Sequence, residues 1–205
     1  MNKEFYDKLD IMIPNPVCEL NYNKDYELLI AVMLSAQTTD KRVNIVTKKL
    51  FIYSLEDMKD LDIEIIMNII KSLGTYQKKA KFVKDIAKRL IEDNDGIVPN
   101  DREYLESLPG VGRKTTNVVL ANLFDVPSFA VDTHVLRTSK ILKLTKNDIP
   151  IKVEFDIMKK IPKYKWNKVN SQLVLFGRYI CKSKKPSCEM CLFSDKCKIN
   201  KKSKL

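Results

Sequence analysis

An all-α fold of roughly ten helices is what this sequence predicts, and three observations predict it. Apolar residues recur at helical spacing along most of the 205-residue chain, with no convincing alternation of the kind a half-buried strand needs. Only five glycines occur, and no proline lies between Pro16 and Pro99, which leaves that stretch free for long helices. Helix start signals recur at intervals as well.

Taken in order, residues 26–36 (YELLIAVMLSA) are apolar nearly all round, the pattern of a helix buried on every side. Ser54 before Leu55-Glu56-Asp57 reads as an N-cap, and Asn100 with Glu103 reads as a capping box. Residues 78–94 place Ala80, Val83, Ala87, Leu90 and Ile91 on one face, with Lys78, Lys79, Lys81 and Lys88 off that face. Gly74 and Gly96 follow helical runs and suit left-handed C-terminal caps, while Gly177 sits in an apolar stretch where helices approach closely. A basic tail, Lys201-Lys202-Ser203-Lys204, is expected to fray.

Hydrophobic residues make up 44% and charged residues 31%, a balance that supports a globular core. No stretch approaches the roughly 18 apolar residues of a membrane span, and the N-terminus lacks the order of a signal peptide. A cytoplasmic, nucleoid-associated monomer with no membrane partner is therefore expected. The formal charge of +11 favours a polyanionic partner. Of the 37 basic residues only six are Arg, so a composition bias towards Lys accounts for part of that excess. Cys181, Cys188, Cys191 and Cys197 crowd together near the end while Cys18 stands alone. Four clustered thiols in a cytosolic chain point to a metal centre, either Zn²⁺ or an iron–sulfur cluster, rather than to disulfides.

Leu108-Pro109-Gly110-Val111-Gly112-Arg113-Lys114 joins two helical segments, 101–108 and about 113–124. Two glycines one residue apart let the backbone turn sharply and approach a ligand. The turn delivers free N–H groups at the start of the second helix, where the dipole favours an anion such as phosphate. Val111 is placed to fill the gap between the two helices. An ordinary helix corner with a glycine cap is the plainer alternative.

LPGVGRKTTNVV (108–119), then Pro127 and Val131-Asp132-Thr133-His134, resembles the helix-hairpin-helix DNA glycosylases. With LLIAVMLSAQTTD (28–40) and the terminal cysteines added, the sequence resembles the endonuclease III family from about residue 22 to 197. That resemblance implies two helical domains flanking a DNA-binding cleft, residues 22–128 against 1–21 with 129–205. It implies a bifunctional DNA N-glycosylase and AP lyase that removes oxidised pyrimidines from damaged duplex DNA. Lys114 is then the nucleophile that forms a Schiff base with the sugar, and Asp132 its carboxylate partner. Both residue types suit the chemistry: a carboxylate stabilises oxocarbenium character at C1′, and an imine acidifies the 2′ proton for β-elimination. Asp132 also reads as the N-cap of a following helix.

The resemblance further implies that Gln37 fills the space left by a flipped base, since a base in the stack is out of reach. Leu73-Gly74-Thr75-Tyr76 corresponds to a second wedge, where Thr75 departs from the usual apolar residue and Tyr76 is the alternative. The hairpin residues Leu108, Gly110, Val111, Gly112 and Arg113 would hold phosphate. The Cys181-x6-Cys188-x2-Cys191-x5-Cys197 spacing implies a structural [4Fe–4S] cluster whose loop carries Lys182, Lys184 and Lys185 towards DNA. Adenine removal from mismatches, the activity of a neighbouring branch, is disfavoured by Val32 where a glutamate is expected and by the retained Lys114. A non-catalytic DNA-binding module and a zinc-stabilised interaction protein are the readings from other classes.

Overall fold

The computed structural model describes residues 1–197; the basic tail lies outside the described residues. Among the described residues there are eleven α-helices and no strand. The helices are α1 (Lys3–Met12), α2 (Asp25–Leu34), α3 (Asp40–Leu50), α4 (Leu55–Asp60), α5 (Ile63–Ile70), α6 (Tyr76–Asn94), α7 (Arg102–Ser107), α8 (Arg113–Phe124), α9 (Thr133–Ile141), α10 (Pro150–Lys160) and α11 (Trp166–Leu175). They fall into two compact units, Glu19–Phe124 in one and Met1–Cys18 with the chain from Asp125 onward in the other. These limits fall three and four residues before those read from the sequence. Asp125 takes a positive φ of 49° directly after α8, and its carboxylate accepts a 3.0 Å hydrogen bond from Asn167 in α11, so its segment belongs with α11.

The unit spanning Glu19–Phe124 is built around α2. Leu28, Leu29, Ile30, Ala31 and Leu34 are fully buried, and α3, α6 and α8 pack around them. Each such leucine or isoleucine contributes about 1.5–3 kcal/mol by leaving water. The helix starts where Glu27 reaches back to the amides of Asn23 (2.7 Å) and Lys24 (3.3 Å), satisfying donors that a helix start leaves open. Ser54 caps α4 as expected, exchanging hydrogen bonds with Asp57. The cap of α7 is Asp101 rather than Asn100: its carboxylate accepts from the amides of Glu103 and Tyr104. At α6 the left-handed residue is Thr75 (φ 55°), not Gly74. Along α6 itself Ala80, Val83, Ala87 and Leu90 are buried and Ile91 is half-buried, but Lys79 is also buried, against the sequence reading.

The hairpin between α7 and α8 is locked into this core. Gly110 has φ +75°, and a Cβ there would meet Phe82 Cδ2 at 2.5 Å and Met33 Cγ at 3.2 Å. Arg102 of α7 donates to Asn117 of α8 at 2.8 Å and pairs with Glu106 at 2.9 Å, joining the two arms.

In the other unit, Phe5 and Leu9 of α1 enter a core with Phe129, Val135, Leu144, Val153, Ile157, Val169 and Leu173. Asp10 ties α1 to α11 through Lys168 Nζ at 2.7 Å and Gln172 Nε2 at 2.7 Å. The α11 axis continues into one π-helical turn, Phe176–Ile180. Gly177 lets that turn lie on α9, since a Cβ would stand 2.8 Å from His134 Cβ.

Two predictions follow from this packing. Gly110→Ala is expected to lower unfolding stability by about 1–3 kcal/mol, because it adds both a clash and an unfavourable φ. Gly112→Ala, whose Cβ would meet nothing within 4 Å, is expected to stay within about 0.5 kcal/mol of wild type in the same denaturant titration. The hydrogen bond from Lys168 is the chief reason the Asp10 carboxyl lies below its ordinary 3.8, with burial opposing it and Gln172 assisting. A depressed carboxyl stabilises the fold above its ordinary value, and that contribution disappears as pH falls through the lower folded value. Asp10→Asn should therefore cost about 0.5–1 kcal/mol at neutral pH, with the gap to wild type closing in melting curves below about pH 3.8.

Candidate functional site

The hairpin places its residues unequally. Leu108 and Val111 are 2% and 4% exposed, so their side chains belong to the core and only their main chain can meet a ligand. Val111 N donates to Leu108 O at 3.1 Å, which closes the turn, and Thr116 N donates to Gly112 O at 3.0 Å, which begins α8. Gly112 is exposed with open space where a Cβ would be, so it leaves a smooth surface at the positive end of the α8 dipole. Arg113 is half-buried and Lys114 exposed, in the first turn of α8. Thr115, Thr116 and Asn117, which follow directly, are buried and fix that turn against the core.

Gln37 and Thr75 are both exposed and both left-handed, with φ of 57° and 55°. Residues with a Cβ rarely adopt that conformation, and it persists where the surroundings over-determine it. Gln37 ends the turn after α2, and Thr75 is the residue before α6. Tyr76 is half-buried. The two turns are joined by Lys79. Its ammonium donates to Leu34 O (2.9 Å), Ala36 O (2.8 Å) and Thr38 Oγ1 (3.5 Å), and burial pushes its amine below the ordinary lysine value. Sequence reading missed this residue because it sits in a run of lysines.

Asp132 is half-buried and caps α9, its Oδ1 accepting from Val135 N at 2.7 Å. The extended segment before it is pinned by α11. Asn170 brackets Ala130, accepting from its N at 3.2 Å and donating to its O at 2.8 Å, and Asn167 accepts from Ser128 N at 3.0 Å. Phe129 is fully buried one step earlier in the chain. The carboxylate therefore sits on a segment held at both ends. The two asparagines carry no sequence signal by themselves.

Cys181, Cys188, Cys191 and Cys197 line one cavity of about 650 Å³, together with Arg137 and Phe193 among others. Arg137 Nη2 donates to Gly177 O (2.7 Å) and Cys181 O (2.8 Å), which fixes the end of the π-helical turn. Burial, with neighbouring Cys191 next in weight, pushes the Cys181 thiol up to about 11; the Cys191 thiol is also raised, chiefly by burial. Among the described residues no three His, Cys, Asp or Glu side chains converge closely enough to share a single metal ion. An all-sulfur donor set around a cavity of this size suits a group larger than one ion. Lys182, Lys184 and Lys185 are exposed on the loop that leads from Cys181. Cys18 is half-buried and does not line the cavity. No helix among the described residues is long and apolar enough to cross a membrane.

Comparison with known proteins gives these features a family. The model for the HhH-GPD superfamily base excision DNA repair protein matches residues 30–163. Endonuclease III of Bacillus subtilis (strain 168) is 45% identical over 199 residues, 96% of this chain and 91% of that protein. Endonuclease III of Escherichia coli (strain K12) is 40% identical over 191 residues, 92% of this chain and 90% of that protein. A solved structure of a trapped endonuclease III–DNA covalent intermediate, an estranged-adenine complex, superposes with a TM-score of 0.92 at 42% identity and covers 100% of both chains. The all-helical architecture, the hairpin and this similarity over the full length agree: the chain belongs to the HhH-GPD superfamily of base excision DNA repair proteins and, within it, to the endonuclease III family.

Proposed function

We propose that this protein excises oxidised pyrimidines from duplex DNA and then cuts the strand through a Schiff base formed by Lys114. As an endonuclease III family member it is a base excision repair enzyme, a DNA glycosylase and AP lyase acting on DNA. The observation that carries the finer reading is the exposed amine of Lys114 in the first turn after a Gly-x-Gly hairpin, in a chain that superposes along its whole length on an endonuclease III trapped covalently on DNA.

In this reading the hairpin amides and the α8 dipole hold a backbone phosphate, with Arg113 adding charge. Gln37 enters the space of the flipped nucleotide, and the Thr75–Tyr76 turn props the duplex beside it. The neutral Lys114 amine bonds to C1′ as the C1′–N bond to the base breaks, and the base leaves with the bonding electrons and a proton. Opening of the sugar ring breaks C1′–O4′, O4′ keeping the bonding pair and taking up a proton, and leaves an iminium on Lys114. Loss of the 2′ proton then expels the 3′ phosphate by β-elimination, and water releases the lysine. Asp132, oriented through its cap to Val135, stabilises the positive charge that develops on the sugar at the first step.

Cys181, Cys188, Cys191 and Cys197 would hold a [4Fe–4S] cluster. The four-sulfur lining of one cavity supports it. Bound there, the cluster would supply a structural cross-link, with the four cysteines holding it as thiolates. The chain's own part is to carry Lys184 and Lys185 on the ordered loop towards phosphate.

Borohydride added during turnover on a thymine glycol duplex is expected to trap a covalent protein–DNA adduct. Lys114→Ala should abolish the adduct; equal trapping by the variant ends the proposal. Asp132→Asn should retain duplex binding yet slow base release by roughly 10²-fold or more in single-turnover kinetics. Cys188→Ser is expected to lose the brown iron–sulfur absorbance and lower the melting temperature. A colourless wild-type protein carrying zinc would overturn the cluster assignment.

A further inference from the structure

Lys79 is buried to 4% exposure, yet it is a cation placed between two exposed turns. Its side chain reaches past the last residue of α2 and donates to the carbonyls of Leu34 and Ala36 and to the Thr38 hydroxyl, oxygens that straddle Gln37. Its backbone amide donates to Thr75 O at 3.1 Å, closing the first turn of α6 after the left-handed Thr75. The lysine side chain thus spans from the start of α6, just after the strained Thr75, to the strained turn at Gln37. The arrangement has a physical logic. Helix α2 ends with carbonyls that lack intrahelical partners, and a cation there meets both the orphan acceptors and the negative end of the dipole. The ammonium has three N–H donors, and it faces three oxygens. Burial lowers its amine below the usual lysine value.

We propose that Lys79 is a positioning residue for base eversion: rooted in the first turn of α6, its side chain clamps the Leu34 and Ala36 carbonyls before Gln37 and meets the Thr38 hydroxyl after it, and so holds the Gln37 turn in fixed register with the Thr75 turn. It touches no substrate, and acts through Gln37. The inference rests on the reading that Gln37 occupies the vacated base position.

The test is a double-variant cycle on Gln37 and Lys79. Binding is measured to a duplex with a tetrahydrofuran abasic analogue opposite 2-aminopurine, whose fluorescence reports unstacking of the orphaned base. Gln37→Ala is expected to weaken binding roughly tenfold and to dim the fluorescence response. Lys79→Met, which keeps the volume and removes the donors, should do the same. The double variant should bind no worse than Gln37→Ala alone, because both changes remove one interaction. Lys79→Arg, which restores donors, should recover part of the fluorescence response, an effect that a loss of general packing would not produce. If Lys79→Met binds like wild type, or if its loss persists in full on the Gln37→Ala background, the proposal is overturned. If Gln37→Ala itself binds and signals like wild type, the reading of Gln37 fails, and that outcome is distinct from the first two. Where Lys79→Met does not melt cooperatively, Lys79→Gln and Thr38→Val carry the same cycle with the same outcomes.

Discussion

A helix with no polar face has to be surrounded, and α2 is such a helix. Leu28, Leu29, Ile30, Ala31 and Leu34 expose nothing, so α3, α6 and α8 must close around them. That constraint decides where the surface elements emerge. The turn after α2 leaves the core at Gln37, and α8 is fixed by Thr115, Thr116 and Asn117 immediately behind its exposed first turn. Rigidity at the protruding residues is thus inherited from the driest part of the unit. A residue meant to displace a base, or to present an amine to a sugar, works only if its main chain does not yield.

The second unit reaches the same end by different means. Its core is assembled from chain segments far apart in sequence, α1 with α9, α10 and α11, and it is finished by polar cross-links. Asn167 and Asn170 pin the extended segment that leads to Asp132, and the Asp132 carboxylate spends one oxygen on capping α9. A carboxylate that caps a helix with one oxygen keeps acceptor capacity on the other. The π-helical turn at Phe176–Ile180, held by Arg137, directs the backbone to Cys181 at the edge of the cysteine-lined cavity. Such turns insert one residue into a helix and are often found where a side chain must be re-aimed.

Two misreadings have the same origin. By pattern, Lys79 lies off the apolar face of its helix and Gly74 is the left-handed cap, because composition rules assign a residue its commonest environment. In the fold, Lys79 finds oxygen acceptors offered by the end of another helix, and the strain falls on Thr75 because the α6 start is fixed by packing. Neither partner is local, so no window along the chain contains the information.

The chain by itself determined the all-α class, the buried α2, the hairpin and the cysteine spacing, because each is written in short-range pattern: apolar period, turn chemistry and residue interval. Tertiary structure alone decided that the Leu108 and Val111 side chains are buried, which leaves their main chain for a ligand, and that Gly110 is required by Phe82 and Met33 while Gly112 is not. It also decided that two asparagines steady the segment leading to Asp132 and that a lysine is interior. Those outcomes depend on which surfaces meet, and contact between distant segments is set by packing the whole unit at once.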